Sequence, residues 1–389
     1  MGSTGGAAGF PGNEIRLDRA RGLTRSLQPL EGSSAGSVQA LGRSLIDFSS
    51  NDYLGLAHHP ALINGAREAL ADWGAGSRAS RLMSGDLAIH HLLEQELCVL
   101  KGGEACLLFG SGYLANTGVI PALCTPGDVV FFDRLSHASM VDGVLLSGAR
   151  FHRFRHNDLG HLEGLLKKHR GRYRRALIAV ESLYSMEGDM APVAELMELK
   201  TRFSAMLMVD EAHATGVFGS AGEGLVSRSM TREVEVVSGT FGKALGGYGA
   251  FAVVSGEMKS FLLNRARTFI FSTALPPPVV GANRAAVRLL EEEPWRRCRV
   301  QQVASRLRTG LKERLGLETP SRSQIVPVIL GDNSRALGLS DRLLRAGFFV
   351  RAIRPPTVPR GRARIRLSVT AEHTDEDVSR LLEAISHGL

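Results

Sequence analysis

Five short stretches of this sequence carry side chains that can do chemistry. In Ser238-Gly239-Thr240-Phe241-Gly242-Lys243-Ala244-Leu245-Gly246-Gly247 a lysine follows an apolar run and stands among small residues. Small neighbours let a lysine lie close to a flat ligand, and desolvation lowers its pKa, making a usable amine nucleophile or base. A phosphate-binding P-loop needs G-x-x-x-x-G-K-[ST]. Here Gly239 is only three residues before Gly242 and Ala244 follows the lysine, so that reading fails. A lone lysine in a glycine-rich loop also fits plain surface exposure, so its companions decide.

In Met206-Leu207-Met208-Val209-Asp210-Glu211-Ala212-His213 an apolar run ends in a carboxylate with a histidine three residues on. Such a carboxylate can pair with a protonated heterocyclic nitrogen and keep a pyridine ring cationic, an electron sink. It can equally be a helix N-cap. The D-E-A-H string also occurs in magnesium-binding helicases, which need the P-loop that is missing here. Gly110-Ser111-Gly112-Tyr113 breaks an apolar run before a helical pattern. That fits either a phosphate cradle of backbone N–H groups or a simple turn with a cap. His137 in Asp133-Arg134-Leu135-Ser136-His137-Ala138-Ser139 can lie flat on an aromatic ligand or serve as a structural histidine at a helix start. In Arg354-Pro355-Pro356-Thr357-Val358-Pro359 the prolines fix where Arg354 points; its fork suits a carboxylate, and a rigid surface loop is the other reading.

Positioning these residues takes alternating helices and strands. Helical patterns cover residues 60–73, 88–100 and 192–203, and strand-like runs cover 129–132, 177–180, 206–209, 234–237 and 250–254. A short basic helix is expected at 17–27. After Pro276-Pro277-Pro278 a helical pattern runs to about residue 315, followed by apolar runs at 325–330, 348–352 and 363–369 and helices at 335–346 and from 374. Alternation of this kind predicts an α/β fold with a mainly parallel sheet flanked by helices. Ligands in such sheets bind beyond the carboxyl ends of the strands, which points to Asp133, Glu181, Asp210 and the loop reaching Lys243. The expected division is a flexible tail at 1–13, an N-terminal segment at 14–59, a large domain at 60–275 and a smaller C-terminal α/β domain at 276–389.

Composition narrows the class. Hydrophobic residues at 44% and charged residues at 22% are ordinary for a globular enzyme. The charge of +8 is scattered over the chain, which fits solvated surface or steering of small anions better than nucleic acid. Cys98, Cys106, Cys124 and Cys298 form no C-x-x-C pair, so buried free thiols are expected rather than a metal cluster or disulfides. No apolar run reaches the length of a membrane span, and residues 1–12 lack the pattern of a signal peptide; a cytoplasmic protein is expected.

Taken together, these residues resemble the α-oxoamine synthase family of fold type I pyridoxal-phosphate enzymes. The likeness runs from Ser49-Ser50-Asn51-Asp52-Tyr53-Leu54-Gly55-Leu56 to Arg364-Ile365-Arg366-Leu367-Ser368-Val369-Thr370. Its most specific parts are Asp210-Glu211-Ala212-His213-Ala214-Thr215-Gly216, Gly239-Thr240-Phe241-Gly242-Lys243 and Ser185-Met186-Glu187-Gly188-Asp189. The resemblance implies that Lys243 holds pyridoxal phosphate as a Schiff base and later acts as base, and that Asp210 pairs with the ring nitrogen. It implies that His213 and Ser185 contact the ring's phenolic oxygen and that His137 stacks on its face. Gly112, Tyr113 and Thr240 would bind the cofactor and its phosphate, which Ser272 and Thr273 would reach from the second subunit of a homodimer. Asn51 and Glu181 would line the site, Arg354 would hold the amino-acid carboxylate, and Thr357 would sit beside the acyl group. Arg354-Pro355-Pro356-Thr357-Val358-Pro359-Arg360-Gly361 is closest to members that condense L-alanine with a pimeloyl thioester, on coenzyme A or acyl carrier protein, in biotin biosynthesis. Among Arg19, Arg21 and Arg25, the resemblance assigns Arg25 to the far carboxylate of that chain. No metal is implied. The alternatives are a family member using glycine or serine with another acyl-CoA, and a non-catalytic partner subunit of the same fold.

Overall fold

The computed structural model describes residues 10–20, 22–34 and 36–387. At its centre is a seven-stranded sheet in the order Ala105–Phe109, Ala250–Val254, Val236–Thr240, Met206–Asp210, Ala176–Glu181, Val129–Asp133, Arg150–Phe154. All neighbours are parallel except Ala250–Val254, which runs antiparallel to both strands beside it. Side chains alternate across the sheet as the pleat demands. Val129 and Phe131 enter one core cluster and Val130 and Phe132 the other; Ile178 and Leu177 divide the same way. Both faces are covered, so these strands read as continuous apolar runs.

A smaller three-stranded sheet packs Ala363–Ser368 between Ile325–Gly331 and Ala352–Ile353. The N-terminal strands Gly32–Ser34, Ser37–Ala40 and Arg43–Asp47 form a further sheet, which Phe348–Phe349 joins in parallel register with Arg43–Asp47. The N-terminal segment is therefore tied to the C-terminal lobe. Helix Pro277–Glu292 packs on Pro60–Trp73 and Ala88–Lys101, while Trp295–Leu315 packs on Asp375–Ser386.

Several boundaries differ from expectation. The basic helix predicted at 17–27 lies instead at Phe10–Ala20, and residues 23–30 have no regular structure. Gly22, left-handed at φ 65°, ends the helix: its N–H donates to the Arg19 carbonyl at 3.0 Å and the Leu23 N–H to the Asp18 carbonyl at 2.8 Å. The Arg354 guanidinium takes the carbonyls of Gly22 and Thr24, the latter at 3.1 Å. Of the tail expected at 1–13, residues 1–9 lie outside the described residues and 10–13 open that helix; Arg21 also lies outside. The helical pattern after residue 276 breaks into Pro277–Glu292 and Trp295–Leu315 at Pro294, which has no N–H to continue the ladder. The apolar run 348–352 splits between two sheets. Of the cysteines expected to be buried, Cys106 and Cys124 are, Cys98 is half-buried and Cys298 is exposed.

The contact between Pro60–Trp73 and Pro277–Glu292 depends on two glycines. A Cβ on Gly281 would stand 2.2 Å from the Gly65 carbonyl oxygen and 2.6 Å from Ala69 Cβ. Backbone cannot yield as a side-chain tip can, so Gly281→Val should lower stability by about 2–3 kcal/mol, with a lower urea midpoint at unchanged slope.

Candidate active site

The functional side chains stand where the parallel strands end. Glu181, Asp210 and Ser238 share one level of the sheet, paired in register across three strands. Asp210 is buried; its Oδ2 accepts from Asn116 Nδ2 at 2.7 Å and its Oδ1 from the Ala212 N–H at 2.8 Å. No helix starts after Asp210, so the N-cap reading does not hold. The Asn116 amide also donates to Ser139 Oγ at 2.9 Å, which fixes its rotamer.

Lys243 reaches the same space from the loop after Val236–Thr240. Its Nζ lies 2.9 Å from His213 Nε2, and His213 Nδ1 lies 2.7 Å from the Tyr53 hydroxyl. Arg366 donates to that hydroxyl at 3.1 Å, to Asn51 Oδ1 at 3.2 Å and to the Ser185 carbonyl at 2.6 Å. Burial lowers the Lys243 ammonium to about 8, against the pull of Asp210 and Glu181. Burial, reinforced by Asp210, pushes Glu181 up to about 8. Burial with Lys243 nearby holds His213 far below the usual imidazole range, so its ring is neutral.

His137 fills the structural role considered for it. It caps helix Ala138–Ser147, its Nδ1 accepting from the Ser139 N–H at 3.2 Å, and its own N–H donates to Glu181 Oε1 at 2.6 Å. Burial lowers its pKa, and Asp210 and Lys243 act on its charge from across the site. Ser111 caps helix Gly112–Leu123, accepting from the Leu114 N–H at 3.2 Å. A Cβ on Gly112 would lie 3.9 Å from Thr240 Cβ, so this helix start and the lysine loop adjoin. The Thr240 hydroxyl donates to the Gly249 carbonyl at 2.8 Å and accepts from the Gly242 N–H at 3.2 Å. Tyr113 is half-exposed, with its hydroxyl on Asp142.

Other predicted residues lie apart. Ser272 and Thr273 border Gly110, Arg81 and His90, and Thr273 bridges Ser80. Arg354 faces the N-terminal segment, and Arg25 donates to Thr357 Oγ1 at 3.4 Å. Thr357 belongs to a cleft of about 640 Å³ lined by residues 134–138, 184–187 and 356–359, so it shares that cleft with His137 and Ser185.

Three participants were not picked out from sequence: Tyr53, Asn116 and Arg366. Each was within a quoted stretch or just beside one, but only burial beside His213 and Asp210 singles them out. A fourth is the ion pair behind the site. Lys101 and Glu211 are both fully buried; Lys101 Nζ donates to Glu211 Oε2 and Thr215 Oγ1, each at 2.8 Å. Glu211 Oε1 accepts the N–H groups of Leu225 and Val226 at 2.7 and 2.9 Å. The pair clamps the backbone that carries Asp210 and His213.

Pyridoxal phosphate fits this donor set. A buried amine of lowered pKa, a buried carboxylate braced at both oxygens, and a capped helix start converge beyond one sheet edge. They match the aldehyde, ring nitrogen and phosphate of that molecule. Fold and site are those of a pyridoxal-phosphate enzyme of fold type I.

Residues 43–385 match the family described as aminotransferase class I and II. The 8-amino-7-oxononanoate synthase of Geobacter sulfurreducens is 47% identical over 377 residues, covering 96% of each chain. That of Anaeromyxobacter dehalogenans is 47% identical over 383 residues, covering 98% of this chain and 96% of the relative. Among solved structures, Sphingomonas wittichii serine palmitoyltransferase superposes with a TM-score of 0.91 at 32% identity, covering 100% of this chain and 98% of that one. The 8-amino-7-oxononanoate synthase of Francisella tularensis gives 0.76 at 28% identity, covering 88% and 97%. The chain belongs to the aminotransferase class I and II family, in the branch of the 8-amino-7-oxononanoate synthases. Among the described residues no helix is long and apolar enough to cross a membrane.

Two outcomes test the site. Lys101→Met leaves Glu211 charged and unpaired in the core and should cost about 3–5 kcal/mol in denaturant unfolding. In protein stripped of cofactor, borohydride trapping of a small aldehyde on Lys243 should quicken with pH and level off above about 8, where the amine has lost its proton.

Proposed function

We propose that the chain condenses L-alanine with a pimeloyl thioester, carried on coenzyme A or acyl carrier protein, giving 8-amino-7-oxononanoate, CO2 and free thiol in biotin biosynthesis. The observation that carries this reading is the convergence of Lys243, Asp210 and His213 beyond the sheet edge, in a chain whose curated relatives bear that name. In the net reaction the alanine α-carbon gives up its proton and bonds to the thioester carbonyl, the thiolate departs and takes up a proton, and the carboxylate leaves as CO2 with a proton taking its place on the α-carbon.

Bound pyridoxal phosphate supplies the electron sink for the substrate's α-carbon. Asp210, braced by Asn116, would hold the ring nitrogen in its protonated state. Lys243 Nζ would carry the α proton, and a neutral His213 beside it imposes no positive charge on that amine. Ser185 and His213 would contact the phenolic oxygen. His137 would stack on the ring and could donate a hydrogen bond to the thioester oxygen. Gly112, Tyr113 and Thr240 would hold the phosphate from this chain, and Ser272 and Thr273 would serve the site of a second copy.

A homodimer is supported by the apolar side chains around that segment. Leu82, Met83, Tyr248 and Phe271 are between 52 and 76% exposed, a surface that a partner would cover.

For the amino-acid carboxylate, Arg366 is the better placed arginine. It is buried and its fork lies beside Asn51 and Tyr53, next to His213, whereas Arg354 is engaged by Gly22 and Thr24. Arg354 then shapes the acyl end through the N-terminal segment, where Arg25 meets Thr357 at the cleft and can take the far carboxylate.

Added pyridoxal phosphate should give the protein visible absorbance, and borohydride should fix the label on Lys243. Lys243→Ala should abolish thiol release and leave the protein folded; full condensation activity in that variant would end the reading. Arg366→Leu should raise KM for alanine by about a hundredfold, the equivalent of a charge-assisted bidentate contact, while Arg354→Leu should act on KM for the acyl thioester.

A further inference from the structure

The acyl-donor cleft has two walls made by different strands, and one histidine outside the cleft joins their roots. The first wall, residues 134–138, follows Asp133 at the end of its strand, and the second, residues 184–187, closes on Asp189. The Tyr184 N–H donates to the Asp189 carbonyl at 3.0 Å and the Gly188 N–H to the Tyr184 carbonyl at 2.9 Å, so Asp189 fixes that second loop. His156, just beyond edge strand Arg150–Phe154, lies between them. Its Nδ1 is 3.0 and 3.1 Å from the Asp133 carboxylate oxygens and its Nε2 is 2.8 Å from Asp189 Oδ2.

Both ring nitrogens therefore face carboxylates. A neutral imidazole has one N–H and would leave one carboxylate facing a lone pair. Both carboxylates also accept from other donors. Asp133 accepts the N–H groups of Leu135 at 2.8 Å and Asn157 at 2.9 Å, and Asp189 accepts Asn157 Nδ2 at 3.0 Å. Among the remaining titratable neighbours, Tyr184 meets the imidazole edge-on at 4.5 Å, and burial with Asp133 and Glu181 nearby holds its hydroxyl protonated, while Arg155, next in sequence, is turned to Asp158 at 2.7 Å. With carboxylate oxygens at both ring nitrogens, only an imidazolium donates to both.

We propose that His156 is a positioning residue for the reaction: as an imidazolium it ties the His137 wall of the cleft to the Ser185 wall and sets the width of the acyl-donor site. Burial opposes the charge, but the hydrogen bonds and charges of Asp133 and Asp189 win and push His156 up to about 9. Because the folded pKa lies above the ordinary value of 6.5, the clamp is fully formed below that pH and is lost as pH rises through about 9. The kinetic consequence rests on the reading of the cleft given above; the protonation state does not.

Holoenzyme carrying carbon-13 at histidine Cε1 tests the clamp directly, with the His156 resonance assigned by its absence in His156→Gln. The expected resonance is that of an imidazolium at neutral pH, titrating near about 9. A resonance that titrates near 6.5 or is already neutral there overturns the proposal. Asp189→Asn, which keeps the size of the partner, serves if His156→Gln does not fold. It should lower the midpoint by about one pH unit or more. With pimeloyl-CoA, KM of the native enzyme should climb as pH passes about 9, and in Asp189→Asn the climb should begin correspondingly lower. A merely structural brace would lower the melting temperature and leave both profiles in place, and that result overturns the positioning role. Failure to turn over pimeloyl-CoA at all would overturn the substrate assignment, while the titration still decides the clamp.

Discussion

Burying an amine, two carboxylates and an imidazole together is the constraint on which this molecule depends. Each charge alone would be costly in a medium of low dielectric, and each is tolerable only because of the others. Lys243 is drawn toward neutrality by burial and toward charge by Asp210 and Glu181; the result, near 8, is an amine able to gain and lose a proton under ordinary conditions. Glu181 is pushed up to about 8 by burial and by Asp210. Asp210, at the same level of the same sheet, has its two oxygens occupied by Asn116 and the Ala212 N–H.

The fold makes that balance reproducible. Parallel strands end together, so residues far apart in sequence arrive at one edge without any loop having to reach for them. The surroundings then remove freedom. Asn116 comes from a helix and meets Asp210, Tyr53 comes from the N-terminal segment and meets His213, and Arg366 comes from the small sheet and holds the Tyr53 hydroxyl. The Lys101–Glu211 pair locks the turn between Asp210 and His213 from behind. Replacing any one of these groups leaves a buried partner unsatisfied, which is why the site is held by so many segments.

How much of this was legible in the sequence depended on whether a residue's role was local. The alternation of helical and apolar patterns gave the parallel sheet, and the residues 60–73 and 250–254 coincide with Pro60–Trp73 and Ala250–Val254. Lys243, Asp210 and His213 each had an ordinary alternative taken singly, and only their occurrence together with the other stretches singled them out. Arg366 did not, because an arginine in an alternating strand reads as solvent-facing, and only the tertiary fold turns it inward beside Tyr53. Asn116 looked like one more polar residue in a helix until the fold placed it on Asp210. The N-terminal helix was misplaced because the expected span ran through Gly22, which at φ 65° closes the helix with the Gly22 and Leu23 N–H groups on the Arg19 and Asp18 carbonyls.

The same logic explains why the cleft and the cofactor site are built from shared parts. His137 belongs to both: its backbone N–H holds Glu181, its ring caps a helix, and the same ring lines the acyl cleft. Ser185 is likewise fixed at its carbonyl by Arg366 while lining the cleft. A shift of the acyl-donor walls therefore cannot occur without disturbing the amine and carboxylates that perform the chemistry. In a condensation between two bound substrates this coupling is useful, because the distance between the α-carbon and the thioester carbonyl decides the rate far more steeply than the strength of either contact. The buried arginine is the hinge of that coupling: Arg366 touches Ser185 on the cleft side and Tyr53 on the lysine side, so one rigid, permanently charged fork ties the two sides to a common frame.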